Sequence, residues 1–155
     1  MKIYLMRHAK SDWSGPIGDY ERPITQKGVD RTKAIVEALQ NDRVKLTHAW
    51  VSPYLRAKMT LEVVLEEFQE IHEEEVDEIV SSGMPRLIKQ KILAFHNEFP
   101  ESSLIIIGHD PSMSSLASEL SDKSIYMRTS EVCALNFDGQ KFSFIKYYSR
   151  NSPDT

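Results

Sequence analysis

Apolar residues fall along this chain in two rhythms. Ile3 to Met6 is an unbroken apolar run that stops at Arg7-His8, the signature of a strand covered on both faces. From Asp12 to Pro23 the rhythm is lost. Gly15, Pro16, Gly18 and Pro23 mark that stretch as a loop. Thr25 then offers a helix cap. Thr32, Ile35, Val36 and Leu39 follow at i, i+3, i+4 and i+7, which predicts a helix with one buried stripe, ending near Asn41. His48 to Val51 is a second short apolar stretch. Ser52-Pro53 predicts the start of a second helix, with Ser52 as cap and Pro53 at its first position. Its stripe is Leu61, Val64, Leu65 and Phe68, and Arg56 falls in its first turn.

Glu66 to Glu78 carries eight carboxylates, the pattern of a solvated face, and Val76 to Val80 is the candidate third strand, broken by Ser81-Ser82-Gly83. Pro85 opens a third helix with Ile88, Ile92, Phe95 and Phe99 on one side, and Pro100 ends it. Leu104 to Ile107 is apolar throughout and β-branched for three of its four residues, so it reads as a central strand. It runs into Gly108-His109-Asp110-Pro111, where Asp110 is a cap and Pro111 opens a fourth helix striped with Met113, Leu116, Ala117 and Leu120. Val132 to Phe137 and Phe142 to Tyr148 flank Asp138-Gly139, a two-residue hairpin signal, and the polar tail Ser149 to Thr155 is expected to fray. Strands alternating with helices predict an α/β fold. We expect a three-layer α/β/α sandwich with a mostly parallel sheet and a C-terminal antiparallel hairpin.

Composition narrows the picture only at its edges. With 155 residues, 41% hydrophobic and 27% charged, the chain fits one globular domain spanning residues 1–155. A net charge of −4 argues against non-specific nucleic-acid binding and against an anionic membrane surface. One cysteine, Cys133, sits among apolar neighbours and reads as a core residue of a protein from a reducing compartment. No apolar run approaches the roughly 18 residues of a membrane span, and no signal-peptide layout opens the chain, so a cytoplasmic location is expected.

The chemistry lies where the predicted strands stop. Ligands of open α/β sheets bind beyond the carboxyl ends of the strands. Arg7-His8, Ser52 to Arg56 and His109 all fall at such ends, so separate segments deliver two arginines and two histidines to one rim. Arginine holds phosphate oxygens in a bidentate fork, and an imidazole can act as nucleophile or acid. Arg56 adds its charge where helix amides already favour an anion. His48, His72 and His96 lie away from this rim and read as structural. His109-Asp110 lacks a third ligand at sensible spacing, so no metal and no cofactor are expected.

At these residues the chain resembles the histidine phosphatase superfamily. The matching blocks are Leu5-Met6-Arg7-His8-Ala9, Arg22-Pro23-Ile24-Thr25 with Gly28, Ser52-Pro53-Tyr54-Leu55-Arg56-Ala57 with Thr60, and Gly108-His109-Asp110-Pro111. Their order follows the family's across most of the chain. The minimal length is similar to the SixA-like phosphohistidine phosphatases, and Ala9 stands where the family usually has glycine. The resemblance implies a phosphoglycerate mutase-like fold. It also implies a phosphatase in which His8 accepts the phosphoryl group, Arg7 and Arg56 clamp its oxygens, and His109 is a further donor. Arg22 matches a family block; it borders the pocket or pairs with Glu21 or Asp19.

Larger relatives use a carboxylate after the third strand to protonate the leaving group. Val80-Ser81-Ser82-Gly83 offers none, which favours a labile bond such as that of phosphohistidine. The expected partner is therefore a phosphohistidine-bearing protein. A small phosphorylated metabolite is the alternative substrate, and a non-catalytic phosphoprotein-binding module the alternative of another class.

Overall fold

A computed structural model describes residues 1–13 and 17–150. Gly15 and Pro16 of the predicted loop, and the tail from Asn151 onward, lie outside the described residues. In chain order the elements are β1 (Lys2–Arg7), a single 3-10 turn (Asp19–Glu21), α1 (Gln26–Asn41), β2 (His48–Val51), α2 (Leu55–Leu65) and β3 (His72–Glu75). There follow α3 (Pro85–Glu98), β4 (Ser103–Gly108), α4 (Ser112–Ser121), β5 (Val132–Phe137) and β6 (Phe142–Tyr148). The strands form one sheet in the order β3-β2-β4-β1-β5-β6. β1 to β4 are mutually parallel where they pair, β5 runs antiparallel to β1, and β6 antiparallel to β5.

The apolar runs of β1 and β4 are continuous because both sheet faces are covered. Ile3, Leu5, Leu104 and Ile106 face a core shared with Ile88 and Ile92 of α3 and Met113, Leu116, Ala117 and Leu120 of α4. Tyr4, Met6, Ile105 and Ile107 face the opposite way, against Ile35, Val36 and Leu39 of α1 and Leu61 and Val64 of α2. Two helices on each side of the sheet make the predicted three-layer α/β/α sandwich. Thr25 caps α1 as expected, its hydroxyl accepting the Gly28 amide at 3.0 Å. Burial pushes the Cys133 thiol up to about 12, so it is inert packing.

Three elements differ from expectation. The third strand is His72–Glu75, not Val76 to Val80. It is an edge strand whose every residue is exposed, so it has no apolar face to reveal it, while Val76 and Ile79 enter the core from an irregular segment. The acidic run is the solvated face it was expected to be, with Glu75 and Glu74 reaching Lys58 and Lys91 at 2.6 and 2.9 Å. Helix α2 starts at Leu55, two residues later than Pro53, with Tyr54 at its cap position. The β5–β6 connection takes four residues, since Phe137 pairs with Phe142. The Asp138 carboxylate accepts the Gln140 and Lys141 amides at 2.9 and 2.8 Å, and Gly139 supplies the positive φ of 101°.

Candidate active site

Sheet register builds the centre of the site. Arg7 pairs with Gly108 as the last step of the β1–β4 ladder, and the His8 amide continues it by donating to the Gly108 carbonyl at 2.9 Å. The residues just past that step are His8 and His109, whose ring centroids lie 5.1 Å apart. Gly108 is glycine for a packing reason: a Cβ there would lie 2.7 Å from Ile79 Cγ2 and 3.0 Å from Met113 Sδ.

His8 is buried, and its Nδ1 lies 2.7 Å from the Ala9 carbonyl oxygen. A carbonyl can only accept, so Nδ1 carries the proton and the neutral ring keeps a lone pair on Nε2. Burial, opposed by the Ala9 hydrogen bond and aided by the neighbouring His109 and the guanidinium groups of Arg56 and Arg7, pulls the His8 imidazole down to about 3. Ala9 is itself anchored from α2, its amide donating to Thr60 Oγ1 at 2.9 Å. The methyl group that distinguishes Ala9 from glycine is fully buried against Ile24 and Val63.

Arg7, Arg22, Arg56 and His109 line the same cleft of about 370 Å³, together with Lys10. Arg7 donates to the Met127 carbonyl at 2.9 Å and stands 3.8 Å from Asp110. Asp110 in turn accepts the Ser114 amide and hydroxyl at 2.9 and 2.6 Å, which ties it to the first turn of α4. Arg56, 4% exposed, projects from the first turn of α2. Arg22 donates to Ser11 Oγ at 2.7 Å and stacks 3.3 Å from the Trp13 ring centroid. Both of its sequence alternatives therefore hold: it lines the cleft and it pairs with Asp19, at 3.0 Å.

Asp19 is the residue the sequence reading undervalued. Its backbone carbonyl accepts from Arg56 at 2.9 Å and its carboxylate lies 3.6 Å from the same guanidinium. Slight burial raises the Asp19 carboxyl, but Arg22 and Arg56 outweigh it and hold the group below the ordinary carboxylate range. Ser52 does not cap α2 as its sequence position suggests, the cap position being Tyr54. Its hydroxyl instead lies 2.6 Å from His109 Nε2, fully buried. Burial first, then Arg56, lowers the His109 imidazole to about 4, with Asp19 opposing.

Among the carboxylates lining the cleft, Asp19 and Asp110 both already face arginines, and the segment after β3 contributes Ser81 rather than an acid. No cluster of three or more His, Cys, Asp or Glu able to hold a metal occurs among the described residues. The arrangement suits a tetrahedral oxyanion, with a lone pair on one side and guanidinium groups around it.

The profile of the histidine phosphatase superfamily (branch 1) matches residues 3–104, nearly the whole stretch from β1 into β4. The chain belongs to that superfamily. Within it, the chain is similar to the phosphohistidine phosphatase SixA of Escherichia coli (strain K12), 31% identical over 121 residues, or 77% of this chain and 74% of that protein. The structure of the protein histidine phosphatase SixA complexed with tungstate superposes with a TM-score of 0.89 at 27% identity, covering 96% of this chain and 97% of that one. The α-ribazole phosphatase of Shigella flexneri shares the fold, with a TM-score of 0.72 at 14% identity over 100% of both chains. As a histidine phosphatase superfamily member of the SixA-like branch, the chain carries the superfamily profile through β1, α2 and their flanking loops. Gly108-His109-Asp110-Pro111 lies beyond the matched residues, and the sheet register brings His109 beside His8.

Proposed function

We propose that the protein is a metal-independent phosphatase that removes the phosphoryl group from phosphohistidine in a partner protein. The observation that carries this reading is the His8–Ala9 hydrogen bond. It leaves the Nε2 lone pair available at neutral pH, inside a cleft lined by Arg7, Arg22, Arg56 and His109.

His8 Nε2 attacks phosphorus as the bond to the departing group breaks, and the electron pair of that bond leaves with the departing group. Arg7, Arg56 and His109 take the charge on the transferring oxygens, where most phosphoryl-transfer catalysis originates. Arg22 extends the phosphate-binding surface at the rim. Water then attacks the phospho-His8 intermediate, the P–N bond breaks and inorganic phosphate departs.

Two observations support phosphohistidine as substrate. Among the described residues, no carboxylic acid is free at the cleft to protonate an alkoxide, since Asp19 and Asp110 stand against arginines. A departing imidazole protonated at its far nitrogen leaves neutral and needs none. The second is the likeness to SixA, a protein histidine phosphatase whose structure was obtained with tungstate, a tetrahedral oxyanion.

Purified protein is incubated with a histidine-phosphorylated protein and, separately, with sugar and nucleotide phosphates, each with and without EDTA. Release of phosphate from the phosphohistidine protein, unaffected by EDTA, is expected. His8→Ala should abolish turnover while thermal unfolding shows a folded protein, and wild type should trap an acid-labile phosphoryl adduct on His8. Preference for the small phosphates would overturn the substrate, and binding without any adduct would make the protein a phosphate-recognition module.

A further inference from the structure

We propose that Ser52 is a positioning residue that sets the tautomer of His109, fixing its proton on Nδ1. This deepens the phosphatase reading above and rests on it for its catalytic consequence.

The inference follows from counting donors and acceptors in a closed space. Ser52 is fully buried, and its Oγ has two partners: the Tyr54 amide at 3.2 Å and His109 Nε2 at 2.6 Å. The amide can only donate, so it occupies a lone pair of Oγ. The hydroxyl proton then has one place to go, the lone pair of His109 Nε2. The opposite arrangement, with Nε2–H donating to Oγ, would strand the serine proton in a site without water access.

The second ring nitrogen supplies an independent sign. His109 is 1% exposed, and its Nδ1 is buried with no hydrogen-bond partner. With Nε2 committed to Ser52, Nδ1 is the nitrogen left for whatever enters the cleft that His109 lines. An orphan Nδ1–H is a donor awaiting an acceptor, which a phosphoryl oxygen supplies. An orphan Nδ1 lone pair would instead repel that oxygen. The Tyr54 ring packs edge-on against His109 at 5.1 Å between centroids, at an interplanar angle of 67°, which places the residue two after Ser52 against the same imidazole. Ser52, Tyr54 and Arg56 thus form one turn in which the first residue orients a donor and the last provides a charge.

The test reads the tautomer directly. Wild-type protein free of phosphate, labelled with ¹⁵N-histidine, is expected to show His109 as the Nδ1–H form, assigned by its loss in His109→Asn. Ser52→Ala should move His109 toward the Nε2–H form and lower kcat about 10- to 100-fold with little change in KM. Ser52→Thr, which keeps the hydroxyl, should restore both. A wild-type Nε2–H tautomer would overturn the proposal. So would a Ser52→Ala variant whose activity falls while the tautomer stays, because the serine would then be only a support for the turn. The spectrum requires no turnover, so it stands or falls separately from the His8 adduct.

Discussion

At the scale of single residues, the site is a problem in charge placement. Arg56 occupies the first turn of a helix, where a cation is disfavoured by the helix dipole. In this structure Asp19 is the anion that compensates it, held by Arg56 and Arg22 together. An incoming oxyanion meets that carboxylate at the cleft wall. Asp19→Asn is therefore expected to tighten tungstate or phosphate binding about three- to fivefold, since an ion pair whose carboxylate is exposed is worth up to about 1 kcal/mol. Isothermal titration calorimetry on the two proteins checks it; weaker binding would mean that Asp19 chiefly organises the arginines. His8, Arg7, Arg56 and His109 were legible in the sequence because each directly adjoins a strand or helix whose apolar pattern is plain. Ser52 and Asp19 were not. Serine before proline is a common helix start, and only coordinates reveal that its hydroxyl faces a histidine from a segment 57 residues away. Asp19 lies in a 3-10 turn with no buried residue, where no periodicity exists to place it.

At the scale of elements, the loop after β1 depends on how closely α1 approaches it. Gly28, in the first turn of α1, is where they touch. A Cβ there would lie 2.7 Å from the Lys10 carbonyl oxygen, 3.0 Å from the Lys10 nitrogen and 3.2 Å from Ala9 Cβ. These are backbone atoms and a methyl group, which have no flexible end to swing aside. Gly28→Ala gains up to about 1 kcal/mol of helix propensity, but the overpacking costs about 1–3 kcal/mol. We expect a net loss of stability by thermal unfolding, with a larger proportional loss of kcat, because Ala9 carries the carbonyl that fixes His8. Unchanged activity would show that the loop tolerates the displacement. The helices were readable because each buries a stripe against the sheet. Strand β3 was not, because its four residues are polar and exposed and its place is dictated by the ladder to β2 alone.

At the scale of the whole molecule, folding and the site share protons. His8 and His109 have an ordinary value of 6.5 that the fold depresses to about 3 and about 4, burial being the first cause in each. The unfolded chain thus binds protons between pH 6.5 and about 4 that the folded chain refuses. Stability is fully present above that range and is lost as pH falls through it. Between pH 7 and pH 5 the loss is on the order of 2 kcal/mol per histidine. Chemical denaturation at the two pH values checks this. His109→Asn should remove roughly half of the difference, and an unaltered pH dependence in that variant would show that other groups govern it. The layered α/β architecture was legible throughout, since apolar runs and stripes encode which faces are covered. The path of the chain between them was less so.

The last rung joining β1 to β4 is also the platform for the two imidazoles of the proposed site, His8 and His109. Their separation is inherited from the fixed strand spacing of about 4.8 Å, and no flexible hinge intervenes to adjust it. The pair of imidazoles thus cannot assemble ahead of the central sheet, nor soften without it. In refolding from denaturant, recovery of tungstate binding should keep pace with tryptophan burial at Trp50 in a single phase. An oxyanion-competent species appearing earlier would show that the rim can be organised by its loops before the ladder closes.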